Sequence, residues 1–119
     1  MTKISLGKKG EEIAEKYLLD LGFKIIGKNF RSRLGEIDLI GTDKDTLVFI
    51  EVKTRFSEEF GPPEEAVTPR KIKTIAKVGQ YYRLLYSGLP ESERIDVVAI
   101  DFNEEGKLSR VELIKNVTG

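Results

Sequence analysis

Apolar side chains near the start of the chain recur at helical intervals. Leu6, Ile13, Tyr17, Leu18 and Leu21 fall on one stripe, with Ser5 placed to cap a helix and Gly22 to end it. From Phe23 the period changes. Phe23, Ile25 and Ile26 lead as an extended segment into Phe30, and Arg31 to Gly35 has the composition of a turn. Two further strands are predicted at Glu36–Ile40 and Leu47–Lys53, joined by the polar segment Gly41–Asp45, so this pair should run antiparallel. Phe56–Val67 contains Pro62, Pro63 and two acidic pairs, a loop long enough for a functional role. Thr68 then supplies a capping hydroxyl and Pro69 a proline at the first helical position, and Ile72, Ile75, Ala76, Tyr82 and Leu85 continue a second helix. Beyond Pro90, Ile95–Ile100 reads as a buried strand, Asn103–Gly106 as a turn and Leu108–Ile114 as a last strand. The predicted order is helix, three strands, helix, two strands: an α/β chain forming one domain over residues 1–119.

Composition narrows the chemistry. The chain has no cysteine and no histidine, which removes disulfides, thiolate zinc sites, cysteine nucleophiles and the commonest general base. Carboxylates, lysines and hydroxyls remain, a set suited to hard cations such as Mg2+ or Mn2+ that take oxygen ligands. The 20 basic and 20 acidic residues cancel, so no global field draws the protein to nucleic acid. The charges do segregate locally. Lys24, Lys28, Arg31 and Arg33 precede the central strands, and Arg70, Lys71, Lys73 and Lys77 open the second helix. Such clusters either track phosphates or form ordinary solvated faces. No apolar run approaches the roughly 20 residues needed to span a bilayer, and Met1–Gly10 has no secretory apolar segment, which predicts a cytoplasmic protein with no membrane partner.

The candidate chemistry lies on two adjacent strands. Regular alternation puts Leu47, Phe49, Glu51 and Lys53 on one face of their strand and Val48, Ile50 and Val52 on the other. In the preceding strand it puts Asp38 with Glu36 and Ile40, opposite Ile37 and Leu39. A hairpin can therefore bring Asp38 beside Glu51. Two carboxylates about 4 Å apart repel by on the order of 4 kcal/mol at an effective dielectric near 20, so a partly buried pair needs a cation or a proton. Lys53 supplies one positive charge and a divalent ion would supply more. With a strand carbonyl completing the ligands, such a site can polarise a phosphate and acidify a bound water, and the lysine can stabilise developing charge. Spacing alone leaves an ordinary strand-end salt bridge equally open. Glu105-Gly106-Lys107 repeats the acidic-x-lysine spacing in a predicted turn, whereas Glu51-Val52-Lys53 ends a strongly apolar strand.

The segments Gly35-Glu36-Ile37-Asp38-Leu39-Ile40 and Val48-Phe49-Ile50-Glu51-Val52-Lys53-Thr54-Arg55 resemble the YraN family of uncharacterised bacterial proteins. Further agreement comes from Gly7, Gly10-Glu11, Ala14, Tyr17-Leu18, Asn29-Phe30-Arg31, Phe60-Gly61, Ala66-Val67, Lys71 and Asp96-Val97-Val98, so the resemblance spans nearly the whole chain. That family is similar to archaeal Holliday-junction resolvases and to the PD-(D/E)XK superfamily, which implies a restriction-endonuclease-like αβββαβ core with a mixed sheet flanked by two helices.

The resemblance also implies roles. It places the motif's aspartate on Asp38, its acidic residue on Glu51 and its lysine on Lys53, with Ile37 where the motif's name has proline. The metal set becomes Asp38, Glu51, the Val52 carbonyl and Glu11 from the first helix, with Glu15 one turn on as the substitute. Arg31, Arg33, Arg55, Lys71 and Gln80 are candidate nucleic-acid contacts, each of which is otherwise a solvated or structural side chain, and Tyr82 beside Gln80 otherwise reads as core. The implied activity is a Mg2+- or Mn2+-dependent endonuclease acting on DNA, branched or damaged DNA included. A homodimer follows by analogy with resolvases. Two rivals stand beside this reading: a nucleic-acid-binding module that cuts nothing alone, and an interaction protein whose charges form salt bridges.

Overall fold

Gly22 ends the first helix by adopting a left-handed backbone, φ 97°, that a side chain would disfavour. Its N–H donates to the Leu19 carbonyl and the Phe23 N–H to the Leu18 carbonyl, both at 3.0 Å, while Leu18 and Phe23 pack in one apolar cluster. This closure satisfies the last carbonyls of α1 (Lys3–Asp20) and aims the chain into the sheet. The computed structural model describes residues 3–56 and 67–118, and α1 starts two residues before the expected cap at Ser5.

Strand β1 (Lys24–Ser32) runs through the turn expected at Arg31–Gly35, because Arg31 and Ser32 pair with Glu36 and Gly35 and leave only Arg33-Leu34 to reverse the chain. Strand β2 (Gly35–Asp43) likewise outruns its predicted end at Ile40, and only Lys44-Asp45 connect it to β3 (Thr46–Arg55). Gly41 is therefore a strand residue and not a turn residue. A Cβ there would lie 2.7 Å from the Lys24 carbonyl oxygen, so the glycine serves the close approach of β1.

After β3 the expected loop Phe56–Val67 lies, over residues 57–66, outside the described residues. Helix α2 (Pro69–Leu85) then begins as its cap predicts: the Thr68 hydroxyl accepts the Lys71 N–H at 3.2 Å, and Pro69 fills the first position, where no N–H is needed. It returns the chain so that β4 (Ser92–Phe102) lies parallel to β3, and β5 (Leu108–Ile114) closes the sheet antiparallel to β4. The sheet order is β1-β2-β3-β4-β5. Helix, three strands, helix, two strands in one open mixed sheet is the order expected of an αβββαβ core.

Two apolar layers cover the sheet. Leu6, Ala14 and Leu18 of α1 pack with Phe23, Leu39, Val48, Ile50, Val52, Val98, Ile100 and Phe102. Ile75, Val78 and Tyr82 of α2 pack with Ile37, Ile40, Leu47, Phe49 and Ile95. Residues 95–102 of β4 are buried throughout, as a parallel strand covered on both faces requires. The layers also correct one expectation. Ile37 and Leu39 were predicted to share a face, with Ile40 beside Asp38; instead Ile37 and Ile40 both face α2 and Leu39 faces α1. The alternation resets between them, at Asp38.

Candidate active site

Asp38 sits where regular pairing stops. The β2–β3 ladder reaches Leu39↔Ile50, and one step further the Asp38 Oδ2 accepts the Val52 N–H at 2.8 Å, a side chain standing in for a strand carbonyl. On its other side, β1 pairs Phe30 with Ile37 and Lys28 with Leu39, which sets Asn29 opposite Asp38. Asn29 has φ 49°, a left-handed backbone that asparagine tolerates better than most residues. Each strand thus carries one residue out of alternation at the same level, next to the site.

Glu11 from α1, Asp38 from β2, and Glu51, Val52 and Lys53 from β3 line one cleft of about 300 Å³. Helix α1 comes close enough because Gly10 has no side chain: a Cβ at Gly10 would run into the Thr54 hydroxyl. Asn29 ties the walls together, its amide donating to Glu11 Oε1 at 2.9 Å and Glu36 Oε1 at 3.2 Å in the orientation that satisfies both ends. Glu15 points elsewhere and pairs with Lys28 Nζ at 2.9 Å, so Glu11 is the α1 carboxylate that reaches the cleft.

The cleft holds more negative charge than it can solvate. Burial pushes the Glu51 carboxyl up to about 7, aided by the neighbouring Asp38 and opposed by Lys71 and Lys53. Asp38 is raised mainly by burial, against the Val52 N–H that favours its charged form. Glu11 is raised too, by burial and then by Asp38 and Glu36. The Glu51 Oε2 is buried without a hydrogen-bond partner, and Lys71 Nζ stands 3.9 Å away from it. Among the described residues no three carboxylates enclose an ion as they stand. The donor chemistry nevertheless fits a hard divalent cation: two neighbouring, partly desolvated carboxylates, one with an orphaned oxygen, beside the backbone of Val52.

Comparison with known proteins agrees with these motifs. The family model for the uncharacterised protein family UPF0102 matches residues 10–100. A UPF0102 protein of Syntrophus aciditrophicus is 44% identical over 92% of this chain and 85% of its own length. One from Caldicellulosiruptor saccharolyticus is 40% identical over 98% of both chains. One from Geobacter metallireducens is 43% identical over 94% of this chain and 90% of its own.

The chain belongs to UPF0102. In this UPF0102 member the predicted peripheral residues divide into two groups. Lys71 is drawn to the site through Glu51, and exposed Arg31 stays at its rim, 3.3 Å from Glu36. Exposed Arg33 occupies the β1–β2 turn. Arg55 does not stay on the Lys53 face as a free phosphate contact. It is 8% exposed, and its Nε and Nη2 donate to the two Asp101 carboxylate oxygens at 2.8 and 3.0 Å. Gln80 donates to Glu93 Oε2 at 3.2 Å and, with Arg83, secures the start of β4. Tyr82 is core, edge-on to Phe30 at 5.0 Å. The second acidic-x-lysine copy is a solvated pair, Lys107 to Glu105 at 3.6 Å, with both side chains about three-quarters exposed (76% and 74%). Sequence reasoning gave Asn29 no role in the site. The available signals were its place in the Asn29-Phe30-Arg31 match and an asparagine in mid-strand, where that residue is disfavoured.

Neither described helix is long and apolar enough to cross a membrane.

Proposed function

We propose that this UPF0102 protein hydrolyses phosphodiester bonds in DNA with Mg2+ or Mn2+ held by Asp38, Glu51 and the Val52 carbonyl, Glu11 facing them across the cleft. The observation that carries the reading is the buried, unpartnered Glu51 Oε2 beside Asp38. A chain does not bury a second carboxylate next to a first without a cation or proton to offset it, and the cost is of order kcal/mol.

A cation bound there supplies Lewis acidity toward a phosphate oxygen and toward a water. The remaining work falls to side chains. The Val52 N–H fixes the Asp38 carboxylate, so one oxygen is spent on orientation and the other is left for a cation. Exposed Lys53 lines the same cleft and can donate to a water or a non-bridging phosphate oxygen as negative charge develops. Lys71 and Arg31 add positive charge at the rim, offsetting the approach of a polyanion to an acidic floor.

The test offers plasmid, duplex, single-stranded and four-way-junction DNA with Mg2+ or Mn2+ to wild type, Glu51→Ala and Lys53→Ala. Metal-dependent cleavage lost in both variants is expected. Cleavage equal in all three proteins, or on no substrate, overturns the enzyme reading. Salt-dependent binding with no cleavage would mark a binding module instead.

A further inference from the structure

The β1–β2 turn leans on α2 beyond the carboxylates. Gly35 packs so closely that a Cβ there would lie 2.7 Å from Thr74 Cγ2 and 3.5 Å from Val78 Cγ2. The Leu34 N–H donates to Ser32 Oγ at 3.1 Å, which holds the turn in shape. Ser32, Arg33, Leu34 and Tyr81 line a concavity of about 540 Å³ between turn and helix, within the range of small-ligand sites of roughly 300–1,000 Å³. Tyr81 is 40% exposed and Leu34 56% exposed, and the Tyr81 ring is backed by Phe30 with centroids 6.1 Å apart.

Helical spacing puts Arg70, Thr74, Lys77 and Tyr81 on one stripe of α2. The stripe begins beside Lys71, the residue at Glu51, and Tyr81 follows ten residues later, a rise of about 15 Å. Arg33, Arg70 and Lys77 are exposed, and among the described residues none of them has an ion pair. An exposed aromatic face and unpaired cations call for a ligand that is planar and apolar at one point and anionic along its length.

We propose that the Tyr81–Leu34 concavity receives an unpaired nucleobase of single-stranded DNA whose phosphates follow the Arg70–Lys77 stripe toward the Glu11–Asp38–Glu51 cleft. The proposal deepens the nuclease reading and rests on it. A base inside a duplex presents only its edges, so a stacking face selects strands that are single or splayed. A protein partner would match the apolar surface but not the row of unpaired cations, and is left as an alternative outcome.

The experiment measures anisotropy of labelled single-stranded DNA and of the matching duplex, in chelator and at low salt, for wild type and the variants Tyr81→Ala, Tyr81→Phe, Tyr81→Leu and Lys77→Ala. Tyr81→Ala should weaken single-strand binding about tenfold, Tyr81→Leu should weaken it too, and Tyr81→Phe should match wild type, since one stacked base is lost in the first two and kept in the last. Duplex binding should not respond to Tyr81. Lys77→Ala should lower the salt slope by about one. Tyr81→Leu keeps apolar packing on Phe30, so a loss confined to a misfolded Tyr81→Ala is told apart by thermal melting. Equal single-strand binding by Tyr81→Leu and wild type, an equal loss on duplex, or no binding at all, which would favour a polypeptide occupant, each overturns the proposal. Cleavage is scored separately with Mn2+. Cleavage without Tyr81-dependent binding removes this inference and leaves the active-site reading, whereas Tyr81-dependent binding without cleavage does the reverse.

Discussion

Val52 donates its backbone N–H to the Asp38 Oδ2 at 2.8 Å, so one bond both completes the β2–β3 pairing and orients an acidic side chain. The two duties separate by substitution. Asp38→Ala strands a buried N–H and should cost about 1–3 kcal/mol of unfolding free energy, while Asp38→Asn keeps an acceptor and should lose well under half of that. Both should lose manganese uptake in calorimetry. Uptake by either variant equal to wild type would remove Asp38 from the proposed site.

Glu51 makes stability of the metal-free protein depend on pH in an unusual direction. Its folded carboxyl is raised from 4.5 to about 7, so the folded state binds more protons than the unfolded state between those values. The favourable contribution is present at low pH and is lost as pH rises through that window, by up to about 3 kcal/mol. In chelator, Glu51→Gln should therefore melt higher than wild type near pH 8, with the gap closing near pH 5. Mn2+ should raise the wild-type melting temperature more at the higher pH and leave Glu51→Gln unmoved.

Arg55, Asp101 and Arg110 form an anchor beneath the site. Arg110 Nη2 adds a 2.8 Å contact to the Asp101 carboxylate that Arg55 already holds. The Arg55 guanidinium keeps the Asp101 carboxyl below its usual range, so the stability it lends is present above the ordinary carboxylate pKa and is lost as pH falls through the folded value. Arg55→Ala leaves a buried carboxylate short of its partner and should cost about 3–5 kcal/mol. Urea midpoints measure that cost. The salt slope of DNA binding should not change, and a slope lowered by about one would restore Arg55 as a phosphate contact.

Gly10 controls how near α1 lies to β3. Gly10→Ala drives its methyl into the Thr54 hydroxyl, so either Thr54 rotates or the helix lifts and carries Glu11 with it. Overpacking of this kind typically costs about 1–3 kcal/mol. Manganese affinity should fall where the helix lifts, and Glu11→Gln should lower it without that loss of stability; unchanged affinity in Glu11→Gln would remove Glu11 from the cation's surroundings. Gly79→Ala is the control: its Cβ would lie 2.5 Å from the Phe49 ring, far from Glu11, so it should lower stability and spare affinity.

Local chemistry wrote much of this protein into its sequence. The Thr68-Pro69 start of α2, the Gly22 stop of α1 and the limits of β5 follow from caps, glycine and period, which depend on neighbours a few residues away. So does the pairing of Asp38 with Glu51, because a hairpin joins adjacent strands. The face each side chain takes was less legible. Strict alternation predicts one face for Ile37 and Leu39, and a single residue out of alternation on each of β1 and β2 divides them between layers. Arg55 reads as exposed until β4 brings Asp101 beside it from 46 positions away. Lys71 and Tyr81 gain their settings only when the crossover lays α2 along β2 and β3. The sequence by itself determined the order of elements and the acidic pair with its lysine, since both rest on short-range spacing. Tertiary structure alone decided which carboxylate of α1 enters the cleft, which arginine is buried and where the exposed tyrosine lies, since each depends on a partner distant along the chain.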